Sequence, residues 1–187
     1  EFEPNDPRRV EFIYLDGDDF MGEPFKKDWS VTGSTPAKYI KQDVASGFPP
    51  NISQNNDRIL RLADVILMLA ECKLLGPAGD VPGAAALINQ VRHRADPTDA
   101  ILAPRPSGAT KEQMVAFLQH ERRIELCFEG HRYDDLVRWQ RAGLLNVSDI
   151  DFGRTPANQN WSEKNLLKPI PQREIDLNPK LTQNEGY

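Results

Sequence analysis

The segment from Asp57 to Leu75 constrains the fold more than any other part of the chain. Ile59, Leu62, Ala63, Val65, Ile66, Leu69 and Ala70 recur at helical spacing, and together they leave almost no side of the cylinder polar. A helix that is apolar all round is buried on several sides, so other elements are expected to surround this one. Asp57 offers an N-cap, and Gly76-Pro77 supplies the stop. The next periodic segment opens at Asp80, with Pro82 in its first turn. It places Ala84, Leu87, Ile88, Val91 and Ala95 on one stripe before Asp96-Pro97 ends it. A connection as short as Gly76 to Gly79 makes the two helices antiparallel neighbours, and Ala84, Ala85 and Ala86 let their backbones approach closely. The pair predicts one helical hairpin of tetratricopeptide type, a single copy that shows no repeat period.

A third helix is predicted from Lys111, behind the capping box Thr110-Lys111-Glu112-Gln113, with Met114, Phe117, Leu118, Ile124 and Phe128 on its apolar side. Gly130 ends or bends it, and helical character resumes from His131 to Arg141. Elsewhere 15 Pro and 12 Gly among 187 residues interrupt every periodic run, so long loops are expected. Val10 to Leu15 alternates as a short strand that stops at Asp16-Gly17. The chain after Gly143 is irregular apart from a helical turn around Arg173 to Asp176. The expected fold is mainly α: a helical hairpin plus further helices, long irregular loops and minor β. Within one domain, 1–56 is loop-rich, 57–142 is the helical core and 143–187 is an irregular C-terminal segment.

Several functions are disfavoured by composition. The net charge of −5 is spread along the chain with no basic tract, which argues against a nucleic acid partner. The longest apolar run, Val65 to Ala70, is cut by Glu71, far short of the ~20 residues that cross a bilayer. Cys72 and Cys127 lie inside helical patterns without ligand spacing. Buried free thiols are the simpler reading, and a disulfide between the two helices stays open. His93 and His131 have no companion ligands. His120-Glu121-Arg122-Arg123-Ile124 carries isoleucine where a zinc-protease motif needs its second histidine. Asp16-Gly17-Asp18-Asp19 lacks the alternating ligands of a calcium loop and reads as a turn. No metal or cofactor is expected.

The densest charge lies between Glu121 and Trp139. Glu121, Glu125 and Glu129 fall four apart on one helical face, where they repel unless cations stand between them. Arg122, Arg132 and Arg138 are the expected cations, with Asp135 a further acid. Interleaved Ile124, Leu126, Phe128, Leu136 and Trp139 make the network semi-buried. A glycosidase would use two such carboxylates as acid and base, with pKa values driven apart by different surroundings. Arginines beside every acid hold all of them ionised. The stripe is therefore expected to be structural, with no catalytic residue and no enzyme activity.

The same residues carry a family resemblance. Arg61 to Glu71 (RLADVILMLAE) and Ile88 to Ala95 (INQVRHRA) are followed by Glu121-Arg122-Arg123-x-Glu125-Leu126-x-Phe128-Glu129-Gly130-x-Arg132 and Asp135-Leu136-x-Arg138-Trp139. Pro169-Ile170-Pro171 comes next, and then the ending Asn178-Pro179-x-Leu181-x-Gln183-Asn184-x-Gly186-Tyr187. In this order, with Asp6-Pro7-Arg8 and Lys38-Tyr39 upstream, they resemble the SusD/RagB family of nutrient-binding lipoproteins. Leu69, Cys72, Asp96 and Glu185 depart from the family pattern without touching a site of chemistry.

The resemblance implies a lipoprotein exposed on the bacterial outer membrane that captures oligosaccharide, such as a starch-like polysaccharide. Its implied partner is a SusC-type TonB-dependent transporter. It also implies a C-terminus at Tyr187 and an N-terminal half outside this chain, with a signal peptide, the lipid anchor and most of the tetratricopeptide-like helices. Sugar sites pair aromatic rings with a few polar groups. The loops bearing Tyr14, Phe20, Phe25, Trp29 and Trp161 are thus the place to search, whereas Trp139 reads as core. The expected ligand-binding residues are Trp29 and Tyr14, with Asp16 or Asp18 as hydrogen-bonding partners. For every one of these rings the competing reading is a satellite cluster that packs a long loop. Two other functions stay open: a helical docking module with no ligand contact in this segment, and a glycoside hydrolase built on the acidic stripe.

Overall fold

The computed structural model describes residues 1–40, 59–150 and 161–187. They fall into two compact units, Glu1–Arg132 and Tyr133–Tyr187. The described N-terminal loops and the three long helices form the first of these units. Asp57, the expected first cap, lies outside the described residues.

In the first unit, α1 (Arg8–Phe12) and β1 (Ile13–Tyr14) replace the expected strand over Val10 to Leu15. Pro7 presets helical backbone at φ −61°, and the Asp6 carboxylate accepts the Arg8 N–H at 2.9 Å, so a local turn overrides the two-residue alternation. β1 pairs antiparallel with β4 (Thr35–Pro36), Tyr14 opposite Thr35. Between them β2 (Asp19–Phe20) and β3 (Glu23–Pro24) form a hairpin through Met21 and Gly22, both at positive φ as a tight two-residue turn requires. Asp19 fastens that turn by accepting the Gly22 N–H at 3.0 Å.

Three helices build the core: α2 (Leu62–Leu75), α3 (Val81–Ala95) and α4 (Lys111–Glu125). Asp80 caps α3 through the Gly83 N–H at 2.8 Å, and Thr110 and Gln113 close the expected capping box on α4. Ala63, Leu67, Ala70 and Leu74 of α2 pack with Ala84, Ala85, Ile88 and Val91 of α3 and with Met114 and Leu118 of α4. Each fully buried leucine or isoleucine here contributes about 1.5–3 kcal/mol.

Two expectations about α2 need correction. The helix starts at Leu62, with Ile59 and Leu60 in non-helical backbone before it, and it is buried on one side only. Because α3 and α4 both pack against that side, Leu62 (73% exposed), Val65, Met68 and Leu69 remain open. Cys72 is likewise exposed, where a buried thiol was expected, and both cysteines are free. A further difference concerns Phe128. It is not on α4, which ends at Glu125, but in the following turn at φ +64°, and it is 45% exposed.

In the second unit, α5 (Arg132–Arg141) buries Asp135, Leu136, Val137 and Trp139. α6 (Gln172–Leu177) supplies the helical turn expected around Arg173 to Asp176. The irregular remainder is fastened by side chains. Tyr133 donates its hydroxyl hydrogen to the Asn165 carbonyl at 2.9 Å, and Gln183 bonds both the N–H and the carbonyl of Ile170.

Candidate functional site

The acidic stripe of α4 is closed rather than open. Glu121 and Glu125 have no exposed surface. Glu121 accepts from Arg8 Nη1 at 2.5 Å through one oxygen and from Arg92 Nη1 at 3.1 Å through the other. Glu125 accepts from Arg61 Nη1 and Arg94 Nη2, both at 2.8 Å, and from Arg8 Nη1 at 3.2 Å. Glu129, in the turn after α4, accepts from Lys38 Nζ and Arg61 Nε, each at 2.6 Å. Burial alone would raise the Glu129 pKa, but the hydrogen bonds from Arg61 and Lys38 outweigh it and hold the carboxyl below its ordinary value.

The network reaches the N-terminal segment. Arg8 also holds Asp6 through Nε at 3.0 Å and Nη2 at 2.9 Å. Glu3 is gripped by Arg92 at 2.7 and 3.1 Å and by Arg105 at 2.6 Å. The Arg92 hydrogen bond leads in holding the Glu3 carboxyl down at about 2, against the opposing effect of burial.

The acids are those read from the sequence, but most of their cations come from elsewhere in the chain. Arg122 turns to Asp64 at 2.8 Å, and in the second unit Arg138 turns to Asp135 at 2.9 Å. Arg132 lies near Arg123, whose guanidinium is brought down to about 10 by burial first and by Arg132 second. The stripe is met by Arg8, Lys38, Arg61, Arg92 and Arg94. Helical spacing cannot reveal partners that lie 113 residues away, as Arg8 does from Glu121. A signal was nevertheless present, because Arg8, Lys38, Arg61, Arg92 and Arg94 all fall within the runs that carried the family resemblance.

General acid and base catalysis needs a carboxyl that substrate can reach and a partner in a different electrostatic setting. Glu121 and Glu125 offer neither, being sealed in and held by guanidinium groups. Truncating one member of such a buried network strands its partners, a loss of about 3–5 kcal/mol.

The second candidate is the aromatic loop. Tyr14, Phe25 and Ala37 are its buried centre, with Phe20 packed alongside. The Tyr14 ring meets Phe20 edge-on at 5.0 Å and stacks on Phe25 at 6.4 Å. At 4% exposure Tyr14 packs at the centre of the cluster. Trp29 differs. It sits on the rim, edge-on to Phe25 at 5.8 Å and to Phe20 at 6.0 Å, and is 46% exposed with Lys26 Nζ 5.8 Å from its ring centroid. Asp16 accepts the Lys27 N–H at 2.9 Å and so fastens the short turn Lys27–Trp29 that carries the indole. Asp18 accepts the Leu15 N–H at 2.7 Å and pairs with Arg9. Both aspartates thus shape the loop, whatever else they contact.

One feature was invisible in the sequence. A cleft of about 590 Å³ runs along the N-terminal segment, lined by Phe2, Asn5, Arg9, Val10 and Leu15 among others. Among the described residues no group of three or more His, Cys, Asp or Glu is placed to hold a metal ion, and no helix is long and apolar enough to cross a membrane.

Known proteins resemble this chain along most of its length. A SusD-like protein of Formosa agariphila is 36% identical over 160 residues, covering 81% of this chain and 28% of that protein. Among solved structures, surface glycan-binding protein A from Bacteroides uniformis superposes with a TM-score of 0.66 at 27% identity, covering 98% of this chain and 38% of that one. A SusD homolog from Bacteroides thetaiotaomicron gives a TM-score of 0.62 at 28% identity, covering 97% and 41% respectively. The chain thus spans well under half the length of the relatives it matches. The mainly helical architecture is the one those structures share, and the profile of the SusD family matches residues 2–187. With family signature and fold in agreement, this chain belongs to the SusD family.

Proposed function

We propose that this chain is part of a lipoprotein on the bacterial outer-membrane surface. It binds oligosaccharide without cleaving it and hands it to a SusC-type TonB-dependent transporter. Family membership supports the reading, as does the likeness to a protein described as surface glycan-binding. The observation that carries it within this chain is a contrast: the carboxylates that could hydrolyse a glycan are sealed by cations, while the Trp29 indole is half exposed on a firm aromatic base. A ring held edge-on by two others presents a flat apolar face at little entropic cost, which suits the apolar face of a pyranose. Asp16, which fastens the same turn, and Asp18 are the candidates for a sugar hydroxyl.

Isothermal titration of the full-length protein against a panel of oligosaccharides tests this. Trp29→Ala is expected to weaken binding about 10-fold or more, the loss of one stacking contact worth about 1.4 kcal/mol or more. Unchanged affinity in the variant moves glycan contact away from this loop. Absence of binding by the wild-type protein across the panel rejects the reading itself.

A further inference from the structure

We infer that the cleft along the N-terminal segment is a sugar-binding subsite for an uncharged saccharide residue, part of the same glycan that meets Trp29. The inference rests on the glycan-binding reading and adds to it the class of sugar. At about 590 Å³ the cleft falls within the range of about 300–1,000 Å³ usual for small-molecule sites. Its apolar walls are Phe2, Val10 and Leu15, the last two 43% and 40% exposed. Its polar groups are the Asn5 amide, which has no hydrogen-bond partner among the described residues, and the guanidinium of Arg9, which uses only Nη1 on Asp18. A side-chain amide both donates and accepts, and a guanidinium presents several donors in one plane, a combination that suits the hydroxyl groups of a sugar. One turn joins this cleft to the ring platform. Leu15 lines the cleft, Asp18 accepts the Leu15 N–H and pairs with Arg9, and Asp16 accepts the Lys27 N–H in the turn that carries Trp29.

The charges around the cleft select against an ionised ligand. Glu1 pairs with Arg123, Glu3 with Arg92 and Arg105, Asp6 with Arg8, and Arg9 with Asp18. Each carboxylate that lines the cleft therefore has its cation, and the one guanidinium that lines it has its carboxylate. A uronate or a sulfate ester entering here would lose hydration without meeting an uncompensated cation, whereas a neutral pyranose meets apolar walls and hydrogen-bonding groups. The same pairs, with Pro7 at φ −61° and the left-handed backbone of Asn5 at φ +62°, fix the walls before ligand arrives, so little ordering opposes binding.

Isothermal titration of the full-length protein with neutral oligosaccharides, run beside Trp29→Ala, tests the subsite. Asn5→Gly removes the amide while keeping the left-handed backbone, and is expected to weaken binding about 10-fold, the effect of losing two ligand hydrogen bonds. Val10→Trp, at an exposed position of the wall, fills the cleft and is expected to weaken binding further. Wild-type affinity in both variants, with binding still weakened in Trp29→Ala, overturns the subsite and leaves the glycan reading standing. Absence of binding by the wild-type protein across the panel removes both. The wild-type protein also gives a test free of any substitution. A uronate-bearing oligosaccharide of the same length is expected to bind at least about 10-fold more weakly than the neutral one. Equal or tighter binding of the charged sugar overturns the inference.

Discussion

The acidic stripe of α4 and the ring cluster around Tyr14 are both interiors of the same unit, yet they are held by opposite chemistry. Around Glu121 and Glu125 the contacts are hydrogen-bonded ion pairs reaching across most of the unit, from Asp6 and Arg8 to Glu129. Around Tyr14 they are edge-to-face and stacked rings within a short stretch of loop, Tyr14 to Trp29. A buried ion pair tolerates almost no substitution of one partner, since the other is then stranded. A ring cluster tolerates exchange of one apolar group for another of similar volume. The ring cluster can therefore vary in sequence where the charged interior cannot.

Arg8→Ala removes the guanidinium that serves Asp6, Glu121 and Glu125 together, and is expected to cost about 3–5 kcal/mol in equilibrium urea unfolding of the full-length protein. A loss below about 1 kcal/mol would show that the carboxylates find water or other cations. On the aromatic side Phe25→Ala, at a residue 3% exposed, is expected to cost about 3 kcal/mol. Trp29→Ala, at the exposed rim, should cost about 1 kcal/mol or less while carrying the larger effect on glycan affinity. If Trp29→Ala proved the more destabilising of the two, the indole would belong to the core and the rim assignment would fall.

The smallest effect is one of pH. Glu3 and Glu129 both have folded-state pKa values depressed below 4.5, Glu3 to about 2. Groups shifted this way stabilise the fold fully above their unfolded pKa and lose that contribution as pH falls through the folded value. For Glu3 the window runs from about pH 4.5 down to about 2. Stability should therefore decline across it, and Glu3→Gln should flatten the decline without moving the plateau's midpoint near neutrality. A Glu3→Gln curve parallel to wild type would remove Glu3 from the network.

Much of this fold was legible because its determinants are local. The helices α3 and α4 begin at their capping residues Asp80 and Thr110, and both are signalled within a few residues of sequence. The helix Arg8–Phe12 takes Val10 to Phe12 from the expected strand and leaves Ile13–Tyr14, because a Pro7 and Asp6 start signal competes with two-residue alternation and wins. The open side of α2 was missed for another reason: periodicity reports which side chains want burial, not whether the chain at hand supplies a neighbour. At the candidate site, composition picks out the ring-bearing loop but cannot separate Tyr14 at its centre from Trp29 at its rim. Nor does helical spacing show that Arg61 and Arg92, on the neighbouring segments, reach the acidic stripe.

Glu125 ties three segments of its unit together through Arg8, Arg61 and Arg94. Equilibrium unfolding of the full-length Glu125→Gln variant tests it most directly. The loss of a carboxylate serving Arg8, Arg61 and Arg94 is expected to lower the unfolding free energy by about 3 kcal/mol or more. A variant as stable as wild type would contradict the account, because a carboxylate that can be neutralised without cost is not held by those guanidinium groups in the native protein.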